Sequence, residues 1–161
     1  MFLVNLVPLV LLVGVLFGSG VDTAEQTNEL RDAIVTVFDK MVEYSLKDDT
    51  QSLIKLFHQN ATIMMGGLPP VIGHEEIRTL LEILPEKASD IKCILKVVEP
   101  MDECADFVYV AIHFEFYNEL REKYMDGNGV DVFRKTGDGY KFYITMFNKL
   151  NQQTSDSSDS G

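Results

Sequence analysis

Apolar residues recur at helical spacing between positions 27 and 47, where Leu30, Ile34, Val37, Phe38, Met41 and Ser45 fall on one face. Glu29, Arg31, Asp32, Asp39, Lys40 and Glu43 lie mostly on the other, so the segment predicts an amphipathic helix. Asp48-Asp49-Thr50 interrupts it, and Asp49 or Thr50 caps a second, shorter helix carrying Leu53, Leu56 and Phe57. Ala61 to Met65 predicts a strand, closed by the rigid turn Gly66-Gly67-Leu68-Pro69-Pro70. After Gly73 a third helix runs from His74 to Leu84 with Ile77, Leu80, Leu81 and Leu84 inward, and Pro85 ends it.

From Ile91 the period changes to two. Ile91, Cys93, Leu95 and Val97 alternate with Lys92 and Lys96, and a turn follows near Pro100-Met101-Asp102. Phe107 to Tyr117 predicts a long strand, apolar on both faces. Asp126-Gly127-Asn128-Gly129 predicts a hairpin turn, leading to strands at Val130–Lys135 and Tyr140–Asn148 around a turn at Gly137-Asp138-Gly139. Helices followed by an antiparallel meander make an α+β fold, with the sheet wrapping three N-terminal helices.

The two ends read differently. Residues 1–20 are an apolar run from Phe2 to Phe17, broken by Asn5, Pro8 and Gly14 and closed by Gly18-Ser19-Gly20. This is the pattern of a signal peptide cleaved after Gly20, and it is shorter than the about 20 apolar residues of a stable membrane anchor. Residues 21–26 then form a short linker, 27–150 the domain, and 151–161 a polar tail with no reason to fold. A secreted, extracellular chain follows. Asn60-Ala61-Thr62 is an N-glycosylation sequon consistent with that route. Cys93 and Cys104, the only cysteines, read either as one disulfide across neighbouring strands or as two buried free thiols. They lack the spacing of a zinc site.

The chain has 161 residues, 46% of them hydrophobic and 24% charged, which suits one globular domain. A formal net charge of -11 argues against nucleic acid and anionic lipid as partners, since both are held by Lys and Arg.

Three passages in order resemble the nuclear transport factor 2-like superfamily, in its SnoaL-like branch related to the calcium/calmodulin-kinase association domain. They are Asp49…Leu53…Leu56-Phe57-His58-Gln59-Asn60-Ala61-Thr62, then Pro70-Val71-Ile72-Gly73-His74-Glu75-Glu76-Ile77, then Asp131-Val132-Phe133-Arg134-Lys135…Asp138-Gly139-Tyr140-Lys141-Phe142. With Phe147-Asn148 they cover most of residues 27–150. The resemblance implies a cone of three helices in a strongly curved, mostly antiparallel sheet, with an apolar pocket at its open end. Members include ketosteroid isomerase, scytalone dehydratase, limonene-epoxide hydrolase and polyketide cyclases, besides non-enzymatic binding and dimerising domains. The fold therefore leaves the chemistry to individual residues.

Those residues complete no catalytic set. An isomerase needs a carboxylate base with tyrosine and protonated aspartate donors. Aligned on Leu56-Phe57, the base position falls at or near Met65 and the tyrosine position on Met41; only Asp131 matches. A dehydratase needs an aspartate–histidine pair, for which His113, with Glu115 on the same strand face, is the candidate. His58 and His74 sit at helix boundaries, and no arginine is bracketed by inward acids as an epoxide hydrolase requires. The Asp126–Gly129 run lacks the later ligands of a calcium loop. No metal or cofactor is called for.

The sequence thus favours a secreted, non-enzymatic domain binding a small apolar molecule in a pocket lined by Met65, Phe114, Phe116, Phe133, Tyr140, Phe142 and Met146. One alternative is an isomerase or dehydratase using Asp131 and His113; the other is an interaction module. Phe107, Tyr109 and Ala111 on a second sheet face suit a homodimer. If Asp131 faces the cone its pKa rises. The loss of catalytic partners at Met65 and Met41 instead favours a surface pair with Lys141.

Overall fold

The computed structural model describes residues 22–83 and 88–150. The expected leader 1–20 and tail 151–161, like Leu84 and Pro85 at the end of the third helix, lie outside the described residues.

The first helix, α1, spans Asp22–Leu46 and so takes in most of the expected linker. Leu30, Ile34, Val37 and Phe38 are its buried stripe, with Met41 and Tyr44 packed beside them. Thr50–Ile54 forms the single-turn α2, whose Ser52 N–H donates to Asp49 Oδ1 at 2.9 Å. Leu56 and Phe57 do not continue it. Phe57 instead opens β1 (Phe57–Met65), which carries Ala61 and Ile63 inward. A two-residue edge strand, β2 (Val71–Ile72), pairs back on β1 before α3 (Gly73–Ile83) buries Ile77 and Leu80.

The meander consists of β3 (Asp90–Pro100), β4 (Phe107–Tyr117), β5 (Lys123–Thr136) and β6 (Gly139–Lys149). The strands order as β2-β1-β6-β5-β4-β3, all neighbours antiparallel except β1 on β6. Extra residues shift the register in β1, in β3 at Lys96, in β5 at Tyr124 and in β6 at Tyr143. Val108, Val110, Ile112 and Phe114 alternate on the buried face of β4, while Phe107, Tyr109, Ala111 and His113 face outward. All three helices place their buried residues in this inner cluster.

Two sequence expectations need correction here. Asp126–Gly129 is no turn, because β5 runs straight through it. The β4–β5 turn lies at residues 118–122, where Asn118 Oδ1 accepts from the N–H groups of Leu120 and Glu122 and Arg121 takes a positive φ of 63°. Gly127 and Gly129 have a different role: the Phe147 ring lies where a Cβ on Gly127 would be, and the Phe114 ring where one on Gly129 would be. The disulfide is also absent. Cys93 is mid-strand opposite Phe114, whereas Cys104 sits in the turn beyond Pro100, and both are free thiols. Seven residues of extended strand separate Cys93 from Pro100, about 23 Å, far beyond the about 7 Å reach of a disulfide.

Candidate functional site

The inner face of the sheet is closed by buried aromatic rings at one end and less tightly covered at the other. At the closed end Phe38, Phe57, Phe133 and Phe142 interlock, with ring centroids 5.3 Å apart for Phe38–Phe142 and 4.5 Å for Phe133–Phe142. Phe133 and Phe142 are buried in the core, 0% and 3% exposed. Toward the other end the inward residues Met65, Cys93, Phe116 and Phe147 are only half-buried.

Asp131 sits between the two. On β5 it follows Gly127 and Gly129 inward and precedes the Phe133 plug, and it pairs with Val110 on β4 and Thr145 on β6. It is 1% exposed and is the one buried polar or charged side chain among the described residues. Neither carboxyl oxygen has a hydrogen-bond partner, and neither does the Thr145 hydroxyl. Burial raises its pKa to about 7, with the nearby Thr145 hydroxyl acting in the opposite direction. The surface pair with Lys141 is therefore overturned: Lys141 faces outward opposite Arg134 and bonds Asp138 at 3.1 Å. Cys93 points inward near Asp131, and burial with the fields of Asp131 and Asp39 pushes its thiol up to about 12. It stays protonated and unreactive.

Solved structures of the same shape come from several bacteria. A ketosteroid isomerase-like protein from Erwinia carotovora atroseptica SCRI1043 matches with a TM-score of 0.63 at 17% identity, over 77% of this chain and 98% of its own. A nuclear transport factor 2-like protein with a cystatin-like fold from Novosphingobium aromaticivorans gives 0.66 at 14%, over 86% and 94%. This chain has the nuclear transport factor 2-like fold. A protein of that fold and unknown function from Shewanella oneidensis MR-1 gives 0.62 at 15%, over 73% and 98%. No family model and no curated protein matches the sequence. At such identities the likeness is one of fold, and the site must be judged on its own groups.

The nuclear transport factor 2-like cone separates the two candidate catalytic residues. His113 lies on the outer face, its Nδ1 3.0 Å from Asn128 Oδ1 and its Nε2 3.7 Å from Glu115 Oε1. Asp131 lies on the inner face, so the sheet stands between them and no joint proton transfer is possible. Glu115 is occupied elsewhere as well: Tyr117 donates to it at 2.7 Å and holds it below the usual carboxylate range.

The seven expected pocket residues are likewise divided. Met65, Phe114 and Phe116 face the inner side of the sheet, as Asp131 does, and Phe133 and Phe142 are buried in the core cluster. Met146 pairs with Val130 on the outer face and is 39% exposed. Its assignment inward assumed strict alternation from Phe142, and the register shift between Val132 and Phe133 reverses that phase. Tyr140 donates to Ala105 O at 2.8 Å and lines a separate surface cleft of about 500 Å³ with Leu30, Ala33 and Cys104. A second cleft, about 390 Å³, lies between Leu68–Val71 and α3. Neither cleft includes Asp131.

Sequence reasoning missed Thr145, Phe147 and Tyr44 on the inner side. Tyr44 was legible, since it stands three residues after Met41 on the same helix face. Thr145 and Phe147 were hidden by the same reversed phase that misplaced Met146.

Proposed function

We propose that this domain binds a small, mostly apolar molecule that presents one hydrogen-bonding oxygen to Asp131 at the floor of the open half-cone. The supporting observation is the buried, unpartnered carboxyl of Asp131. A buried polar group left unsatisfied costs about 1–3 kcal/mol, and a ligand oxygen would remove that cost. With its pKa raised to about 7, Asp131 holds a proton to donate over much of the accessible pH range. Binding rather than catalysis is favoured because the inward Cys93 thiol near Asp131 is held protonated and His113 stands on the opposite face of the sheet. Aligned on Leu56-Phe57, the isomerase base position falls at or near Met65 and the tyrosine position on Met41, and their flexible side chains suit an adaptable apolar wall.

The test is calorimetric titration at pH 6 with an apolar ketone and the matching hydrocarbon. The ketone is expected to bind about tenfold more tightly to wild type, and Asp131→Val to erase the preference, because one hydrogen bond is at stake. Equal affinities for the two probes, or no saturable binding, would sink the reading.

A second reading concerns the outer face, where two rows run across the sheet. Val97, Ala111, Val130, Met146 and Met64 form one, and Glu99, Tyr109, Val132, Ile144 and Thr62 the other. No helix packs its buried residues there. We infer that a second copy of the chain covers these rows. Both rows carry a single charge, Glu99, which suits self-association of a chain with net charge -11. Secretion is part of the same proposal, and the sequon supports it, because Asn60 is exposed on β1. Protein recovered from culture medium should sediment as a dimer and carry glycan on Asn60, and Tyr109→Glu should sediment as a monomer. A wild type that is monomeric at micromolar concentration rules out the dimer. A mass unchanged by Asn60→Gln rules out the glycan.

A further inference from the structure

At the end of the outer face nearest residue 134, Arg134 and Lys141 lie side by side, and Arg134 has no counter-charge among the described residues. Arg134 pairs across the strands with Phe107 on one side and Lys141 on the other. Its guanidinium carbon lies 5.7 Å from the Phe107 ring centroid and 5.6 Å from that of Tyr143, and those rings are 5.8 Å apart. Two aromatic faces thus hold the guanidinium while its N–H edges stay free. Among the described residues no carboxylate comes within ion-pair distance of it. That is unusual in a chain with 25 acidic residues against 14 basic ones.

The neighbouring groups are donors too. His58 meets the Tyr143 ring edge-on at 5.4 Å, and its Nδ1 accepts from the Asn60 N–H at 3.2 Å. That bond places the ring proton of neutral His58 on Nε2. Tyr143 makes no hydrogen bond through its hydroxyl in the described structure. Lys141 has only the highly exposed Asp138 as a partner. The His58 pKa is lowered by burial first and then by Arg134, Lys141 and His74.

We propose that Arg134, Lys141, the Tyr143 hydroxyl and His58 Nε2 form a binding site for one oxyanion group. Stacking fixes the plane of the guanidinium, which can then bond two oxygens of a phosphate, sulfate or carboxylate side by side. The anion supplies the negative charge that Arg134 lacks among the described residues. Its source is either a free oxyanion or a carboxylate of a second copy, and the two share the same recognition chemistry. The site is on the opposite face of the sheet from Asp131 and is independent of the cone.

The test is NMR of the His58 ring in the full chain, titrated with sodium phosphate against sodium chloride at equal ionic strength. Phosphate is expected to shift His58 saturably in the millimolar range and to raise its titration midpoint, whereas chloride does neither. Arg134→Gln should weaken the phosphate response by about tenfold, and Tyr143→Phe, which keeps the stacked ring, by about threefold. Lys123→Gln, at the far end of the same face, should leave it unchanged. If the anion belongs to a second copy, His58 shifts with protein concentration in chloride alone, phosphate competes with that shift, and Arg134→Gln removes it. Identical responses to phosphate and chloride with no concentration dependence would overturn the proposal. So would a full phosphate response in both Arg134→Gln and Tyr143→Phe.

Discussion

Replacing Gly127 with alanine is expected to lower the unfolding free energy by about 3 kcal/mol, the upper end for overpacking a core. The new Cβ would stand 2.5 Å from the Asn148 carbonyl oxygen and 2.7 and 2.8 Å from two carbons of the Phe147 ring. None of these can retreat easily. Gly127 is paired on both sides, with Phe114 on β4 and Lys149 on β6, so its own backbone is pinned. The Phe147 ring is in turn set against Phe114 at 5.6 Å, nearly perpendicular to it. Relief would require breaking the ladder or turning an aromatic ring out of the cone. Gly137→Ala is the matched control, because nothing lies within 4 Å of its Cβ position. Removing that glycine should be neutral or slightly stabilising, through the reduced entropy of the unfolded chain. Denaturant midpoints for the two variants settle the matter. Equal stabilities would mean that the Phe147 ring does not lie over Gly127.

Asp131→Asn should become more stable relative to wild type by about 4 kcal/mol between pH 4 and pH 8. In the unfolded chain this carboxyl ionises near its ordinary value of 3.8, whereas in the fold it keeps its proton up to about 7. Between those values the native state binds more protons than the unfolded state, so stability falls as pH rises. Its contribution is full below about pH 4 and is lost as pH passes about 7. The cause is desolvation, which outweighs the opposing effect of the Thr145 hydroxyl on the ionised form. Asparagine cannot ionise and carries none of this dependence. All other titrating groups are shared, so they cancel in the difference between the two proteins. Urea unfolding of both at each pH gives the number directly. A difference that does not change with pH would show that Asp131 is not a buried acid.

Most of the fold was legible residue by residue. The stripe from Leu30 to Met41 is a helix because 3.6-residue periodicity allows few other ways to bury those side chains. Phe107–Tyr117 is a strand with the boundaries that its composition implied. Asp49 caps α2 because a short acidic side chain can reach the free N–H groups of a first turn. The passage at Asp126–Gly129 misled because Asp-Gly and Asn-Gly pairs suit tight turns in isolation. Here the glycines answer a different demand, the room needed by two aromatic rings.

The candidate site was legible in part. Asp131 stood out as the one match to an acid donor, and Met65 and Met41 as the absence of its partners. Which way Asp131 pointed was not legible, since both a cone-facing acid and a pair with Lys141 suit the local sequence. The same holds for His113, whose position beside Glu115 on one strand face said nothing about which face that was.

The sequence by itself therefore determined the kind and order of the longer elements and the apolar stripe of each helix. These depend on local periodicity and on turn and cap chemistry. The tertiary structure alone decided which face of each strand looks into the cone. That choice rests on strand register, and a single extra residue such as Tyr143 in β6, opposite Val132 and Phe133, reverses every side chain beyond it on that strand. It turned Met146 outward and Thr145 inward, placed Asp131 and His113 on opposite sides of one sheet, and left Cys93 and Cys104 too far apart to join.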